Sequence, residues 1–272
     1  MRKFSVIGLA VLGLFAVAGI AYASNTYTST SKITPSKSGT SAKPAPVSAA
    51  LSFTVGETTG ARPSPLKTYS IGLGPGIVPN TGLVKGCNKT QANAGILPAV
   101  CSKAGSRGGA NVGGGSVDAL FGPANDTSVK AKCYLAVTLL NSTVKNHLWI
   151  RVVGSATAPP PKNCPAPPPP SSIDAKYVKT GSVPKKGGGS VPVWALKFTV
   201  PGALIHIAAL DIAVVHNVSN IAKISKRVGR VTHGYLESVG CPKAPRGKRS
   251  SEVTFTSEAG QTQKSTSTSP CS

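Results

Sequence analysis

The chain is poor in acidic residues: eight Asp and Glu stand against 30 Lys and Arg in 272 residues, a formal net charge of +22. So few carboxylates leave little choice for the paired acids of glycoside cleavage, and no two of them stand out. Aromatic residues make up only 5% of the chain. That scarcity argues against a deep enzyme-like interior and removes the interleaved aromatics expected of a nucleic-acid binder, so no specific nucleic acid is expected as a partner. No Cys-x-x-Cys pair occurs, and His147, His206, His216 and His233 are not spaced as a zinc cluster, so no metal site is expected. No Gly-x-Ser-x-Gly elbow is present, because Gly114-Gly115-Ser116-Val117 runs into Asp118. The Gly-rich stretches lack the Gly-Lys-Ser/Thr ending of a phosphate loop, and no cofactor is expected. Beyond Ile20 no second long apolar run follows, so no membrane span is expected in a processed chain.

What is present begins with a targeting pattern. Arg2-Lys3 precede an apolar run from Phe4 to Ile20, and Ala21-Tyr22-Ala23 supplies the small-x-small motif of a cleavage site. Residues 1–23 read as a signal peptide and the product as secreted, extracellular protein. Residues 24–49 are Ser, Thr, Lys and Pro with hardly any large apolar side chain. Such a composition buries too little surface to offset the entropy of ordering, and it reads as a disordered leader.

From there on the periodicity is that of strands. Leu51 to Val55 and Leu66 to Leu73 alternate apolar and polar, as half-buried strands do. Lys132 to Leu140 and His147 to Val153 form the strongest pair, with Asn141-Ser142-Thr143 in the turn. Val191 to Val200 has strand composition and stops at Pro201-Gly202. Ala203 to Val215 fits both periods; Ile212, Val214 and Val215 are β-branched and favour a strand. Glu252 to Thr256, a turn at Ala259-Gly260 and the Ser/Thr run after it read as a closing hairpin. The expected fold is all-β, an antiparallel β-sandwich, Ig-like or related. Residues 50–155 and 173–272 form two β halves joined by a Pro-rich connection at 156–172, which is unable to enter a central sheet.

Six cysteines in an exported chain imply disulfides, although six permit fifteen pairings. Neighbours are expected to pair: Cys87 with Cys101, Cys133 with Cys164, Cys241 with Cys271. Each closure stabilises by about 2 to 4 kcal/mol. Two basic clusters are the candidate anion-binding residues: Lys223, Lys226, Arg227 and Arg230, then Lys243, Arg246, Lys248 and Arg249. They flank the strand Tyr235 to Val239, so one joint patch requires a bend or a long connection. A charged edge that deters strand pairing is the plainer reading of the same residues. A Ser-His-Asp site is conceivable only from Ser106 or Ser116 with His206 and Asp211, and no catalytic residue is expected.

The segment Val253-Thr254-Phe255-Thr256-Ser257-Glu258-Ala259-Gly260-Gln261-Thr262-Gln263, followed by Pro270-Cys271, resembles the end of a group of uncharacterised secreted actinobacterial proteins. Leu73-Gly74-Pro75-Gly76 leading to Cys87 and Cys101-Ser102-Lys103, and Leu196 to Gly202, are similar too, so the likeness spans Leu51 to Cys271. It implies a secreted β-rich protein with paired cysteines and transfers no catalytic residue. The function expected is non-catalytic binding of anionic cell-envelope polymers through the basic clusters. An extracellular hydrolase with a site assembled from distant residues, or a structural or adhesive surface module, is the alternative.

Overall fold

The computed structural model describes residues 24–154 and 171–272. The expected signal peptide and Cys164 lie outside the described residues, as does the Pro-rich connection apart from Ser171 and Ser172. Those two begin a strand rather than ending a linker.

Among the described residues, alternating sequence makes sixteen strands. The first four are β1 (Asn25–Thr34), β2 (Ala45–Glu57), β3 (Leu66–Gly72) and β4 (Ile77–Pro79). Two single helical turns follow, α1 (Lys89–Ala92) and α2 (Ala99–Ser102). The middle of the chain forms β5 (Asn111–Pro123), β6 (Ala131–Asn141), β7 (His147–Gly154), β8 (Ser171–Pro184) and β9 (Ser190–Thr199). Where both periods fit, both structures occur: a helical turn α3 (Gly202–Ile205), a two-residue β10 (His206–Ile207) and the long β11 (Leu210–Ile221). The chain ends with β12 (Ser225–Val228), β13 (Val231–Gly234), β14 (Leu236–Ser238), β15 (Lys248–Ser257) and β16 (Thr262–Pro270).

Fourteen strands join in one antiparallel sheet, ordered β16-β15-β3-β9-β8-β7-β6-β5-β11-β2-β14-β4 with β1 on β2 and β10 on β11; β12 and β13 form a separate hairpin. The two expected halves are therefore interleaved. β2 pairs with β11, and β3 sits between β9 and β15, so the described strands on either side of the expected connection share one sheet.

The expected disordered leader is also corrected. Residues Asn25 to Thr34 pair along their whole length with Ser48 to Glu57. β1 also lies beside β16, running in the same direction. The Asn25 N–H donates to Gln261 Oε1 (3.2 Å), Ser29 Oγ to Ser265 Oγ (2.9 Å), and Ser31 and Ser267 share a 2.8 Å contact, each pair 236 residues apart. Just beyond, Ser272 N–H donates to Ser36 O and Ser38 N–H to Ser272 O. The sheet thus curls until its first and last strands meet, and its opposite walls supply the two layers of the sandwich.

Odd-numbered residues of β1, β2, β15 and β16 face inward, as period two requires. One core cluster joins Ile33, Val117, Leu135, Leu148, Ile173, Leu196 and Ile212 across the walls. A second gathers Phe53, Val55, Leu66, Tyr69, Val253 and Phe255. Here the scarce aromatics concentrate: Tyr27 stacks on Phe255 at 4.8 Å, Tyr69 stacks on Phe198 at 4.6 Å, and Phe53 meets Phe255 edge-on at 5.1 Å. Such pairs add about 0.5–1.5 kcal/mol each beyond their buried area.

Phe255 is fully buried and touches three rings. Phe255→Ala is expected to lower the unfolding free energy by about 3–5 kcal/mol in a denaturant titration. Its outward neighbour Thr256→Ala should stay within about 0.5 kcal/mol.

Candidate functional site

The pairing registers place both basic clusters at one end of the curled sheet. At this end β1, β8, β11 and β16 finish, while β2, β9 and β15 begin. Lys223 follows β11 directly, and Lys226, Arg227 and Arg230 stand on the β12–β13 hairpin, where Ser225 to Val228 are exposed throughout. Lys243, Arg246 and Lys248 are exposed on the turn leading into β15. The two clusters lie at opposite ends of the short strand β14 and share one end of the molecule.

Arg249 does not belong to this surface. In β15 the odd positions face inward, and Arg249 is fully buried with Ser251, Val253 and Phe255. Its Nε donates to Pro75 O (3.2 Å), its Nη1 to Pro270 O (3.5 Å), and its Nη2 to Ser238 Oγ and Gly240 O. Burial pulls the guanidinium down to about 10 from its ordinary value. The residue ties the Gly74-Pro75 turn, β14 and the end of β16 together, and offers nothing to a ligand outside. Its alternation with Ser251, Val253 and Phe255 is the signal that marks it as inward.

Other cations complete the surface. The β8–β9 turn packs on the Cys241-Pro242 segment: Lys186 N–H donates to Cys241 O, Lys243 N–H to Pro184 O, and Lys185 bridges to Pro242. Lys185 and Lys186 thereby join Lys243. Lys37 and Lys43 are exposed on the β1–β2 connection, whose Gly39 N–H donates to Ser238 O. A basic turn distant in sequence cannot be assigned to a patch without the fold.

The acids are elsewhere. Glu57, Asp126, Asp211 and Glu258 lie at the opposite end. Asp118, Asp174 and Glu252 lie on the walls, paired with Lys132 and His216, His147, and Lys264. Glu237 alone sits at the basic end; it is 8% exposed and accepts from His233 Nδ1 (2.9 Å), Gly234 N–H (3.0 Å) and Asn80 Nδ2 (3.4 Å). It is used internally, so the cations around it keep an uncompensated field.

Cys87–Cys101 and Cys241–Cys271 are disulfides, with Cα separations of 5.7 and 5.8 Å. Cys133 is also disulfide-bonded; Cys164, its expected partner, is outside the described residues. Cys241–Cys271 closes the basic turn against the end of β16. Of the four Asn-x-Ser/Thr sequons, Asn141 and Asn217 are buried, while Asn88 and Asn125 are exposed.

The opposite end carries a different constellation. Ala208 and Ala209 both have positive φ (48° and 64°) and make the two-residue turn of the β10–β11 hairpin, normally the work of Asn-Gly. That turn sets His206 across from Asp211. Nδ1 of His206 lies 2.8 Å from Asp211 Oδ1, and Nε2 lies 3.0 Å from Glu258 Oε1 on the β15–β16 turn. Asp211 first, then Glu258, raises the imidazole above its ordinary range against the opposing effect of burial. Both ring nitrogens are engaged by carboxylates. Ser106, between α2 and β5, and Ser116, on the wall beside Val218, are not near His206, so the serines conceivable as nucleophiles are not brought to this histidine. Among the described residues no group of three or more His, Cys, Asp or Glu side chains is placed to hold a metal ion, and no helix is long and apolar enough to cross a membrane.

No known protein family, characterised protein or solved structure matches this chain.

Because its folded pKa is raised, His206 stabilises the fold fully below about 6.5, the unfolded value, and the contribution is lost as pH rises through the folded value. His206→Ala is expected to lower the melting temperature at pH 5.5 and to leave it unchanged at pH 9. In an NMR titration the His206 ring should titrate above its free-peptide value, and Glu258→Gln should move it back toward that value.

Proposed function

We propose that the protein is an exported, non-catalytic module that docks on anionic polymers of the cell envelope through the cation-rich end of its sheet. The single observation that supports this reading is the separation of charge along the molecule. Exposed Lys and Arg from five connections share one end, whose one acid is turned inward, while four of the eight acids occupy the other. A field of this kind orients the molecule toward repeated phosphate, sulfate or carboxylate groups and weakens as salt rises. Flexible lysines at loop tips suit a polymer without a fixed shape, because they contact charge rather than geometry. Export fits the disulfides, which persist in oxidising compartments, and the leader pattern of residues 1–23.

The test is retention on a polyphosphate or sulfated-polysaccharide resin as a function of salt. The variant K226E/R227E/R246E/K248E is expected to elute at markedly lower salt. By counterion release each lost contact should reduce the slope of log affinity against log salt by roughly 0.7–0.9. Lys67→Glu with Lys130→Glu, at the opposite end, should elute near the parent. Equal retention of the parent and the first variant would overturn the proposal.

A further inference from the structure

We infer that the interior of the curled sheet is a binding site for a small cyclic molecule, apolar over most of its surface and carrying one hydroxyl. This goes beyond the polymer reading and does not rest on it: the polymer site is built on connections at one end of the sheet, and the cavity lies between its walls.

A cavity of about 170 Å³ lies between the walls, lined by side chains from ten strands. Leu51, Phe53, Val137, Ile150, Phe198 and Ile212 make most of its surface apolar. The Leu-, Ile- and Phe-lined part of the cavity offers a water molecule few of the two to four polar partners it needs. An engineered cavity of about 150 Å³ with similar lining takes up benzene or xenon. The present void therefore has the volume for one six-membered ring.

A cluster of polar groups lies on the β1 and β11 side, while Ser251 of β15 and Tyr69 of β3 line the cavity elsewhere. Ser31 on β1 and Ser219 on β11 flank Leu51 of β2 in a single register row. Asn217, one inward position along, donates from Nδ2 to Ser219 Oγ at 3.1 Å. Ser31, Asn217 and Ser219 all line the cavity. A ring oriented with its hydroxyl toward β1 and β11 meets these groups while its body meets Leu, Ile and Phe. In a small apolar pocket a few placed polar groups of this kind set orientation.

The void is kept open by a small residue. Ala49 lines it between Ile33 and Ile221 in the register of β1, β2 and β11. A larger side chain there would fill the space that interiors normally occupy to close packing. At the acidic end the cavity is capped by Leu204 and Ile205 of α3, both buried and both lining it.

The test uses the full processed chain with phenol and benzene as probes, followed by methyl NMR of the Leu, Ile and Val residues. Saturable shifts confined to cavity methyls such as Leu51 and Ile212 are expected, with phenol bound more tightly than benzene. Ala49→Leu should fold cooperatively and weaken phenol at least about tenfold. Leu204→Phe fills the other end and is expected to do the same, so it decides if Ala49→Leu fails to fold. Crystals under xenon pressure should show density between the walls, a readout that needs no variant. Absence of saturable shifts together with absence of xenon, or unaltered phenol affinity in a folded filling variant, would overturn the inference.

Discussion

The meeting of the first and last strands is the constraint on which the rest of this molecule depends. An open sheet of this length would leave two edges of unpaired backbone groups, each a template for association. Here β1 and β16 lie side by side, and hydroxyl contacts at Ser29–Ser265 and Ser31–Ser267 bridge them where the pairing ladder stops. The contacts are individually modest, of order 1 kcal/mol each. Their effect is collective: they hold Tyr27 over Phe255 and Ile33 in the main core, and so seal the apolar interior along its length. The Cys241–Cys271 bridge fixes the far end of the seam, where Cys271 follows β16 and Ser272 bonds to the β1–β2 connection.

Two buried arginines close the ends in the same manner. Arg62 at the acidic end donates to the carbonyls of Asp126, Val129 and Pro123, gathering the β5–β6 loop. Arg249 does so at the basic end with Pro75, Pro270 and Gly240. A buried cation is costly unless its donors are used, and a planar guanidinium satisfies several carbonyls from different loops at once. Neither arginine faces a carboxylate across these bonds, so each acts as a connector of backbone rather than as half of an ion pair. A chain with many cations and few acids can build such connectors readily.

What the sequence makes legible is what is local. β6 with β7 and β15 with β16 are hairpins with strong alternation, and both follow from composition and turn chemistry. Two of the nearest-neighbour disulfides follow from the same locality. β1 was illegible because its inward side chains are mostly small and polar: only Tyr27 and Ile33 are large, and beside its pairing with the next strand β2 it is held by β16, 236 residues away. The interleaving was illegible for a related reason, since β2 with β11 and β3 with β15 join segments more than a hundred residues apart. Within the basic surface, seven of the eight expected residues are exposed. Arg249 departs because its parity in β15 outweighs its charge, and Lys185 and Lys186 arrive through a contact between two turns.

The Cys241–Cys271 disulfide sits where the positive charge is concentrated. Like charges gathered on one end repel, and the repulsion falls on the segments that carry them. Lys243, Arg246 and Lys248 lie on a single turn between Cys241 and β15, next to Lys185 and Lys186. That turn has little apolar anchorage of its own, since its exposed residues run from Lys243 to Lys248. A covalent link from Cys241 to Cys271, with Arg249 bonded beneath it, holds the turn against the sheet whatever the ionic strength. The same arrangement lets the surface keep its charge without loosening the seam, because turns and outward positions carry the cations and inward positions carry the packing. Period-two alternation thus separates two demands that would conflict on a helix with a narrow apolar stripe.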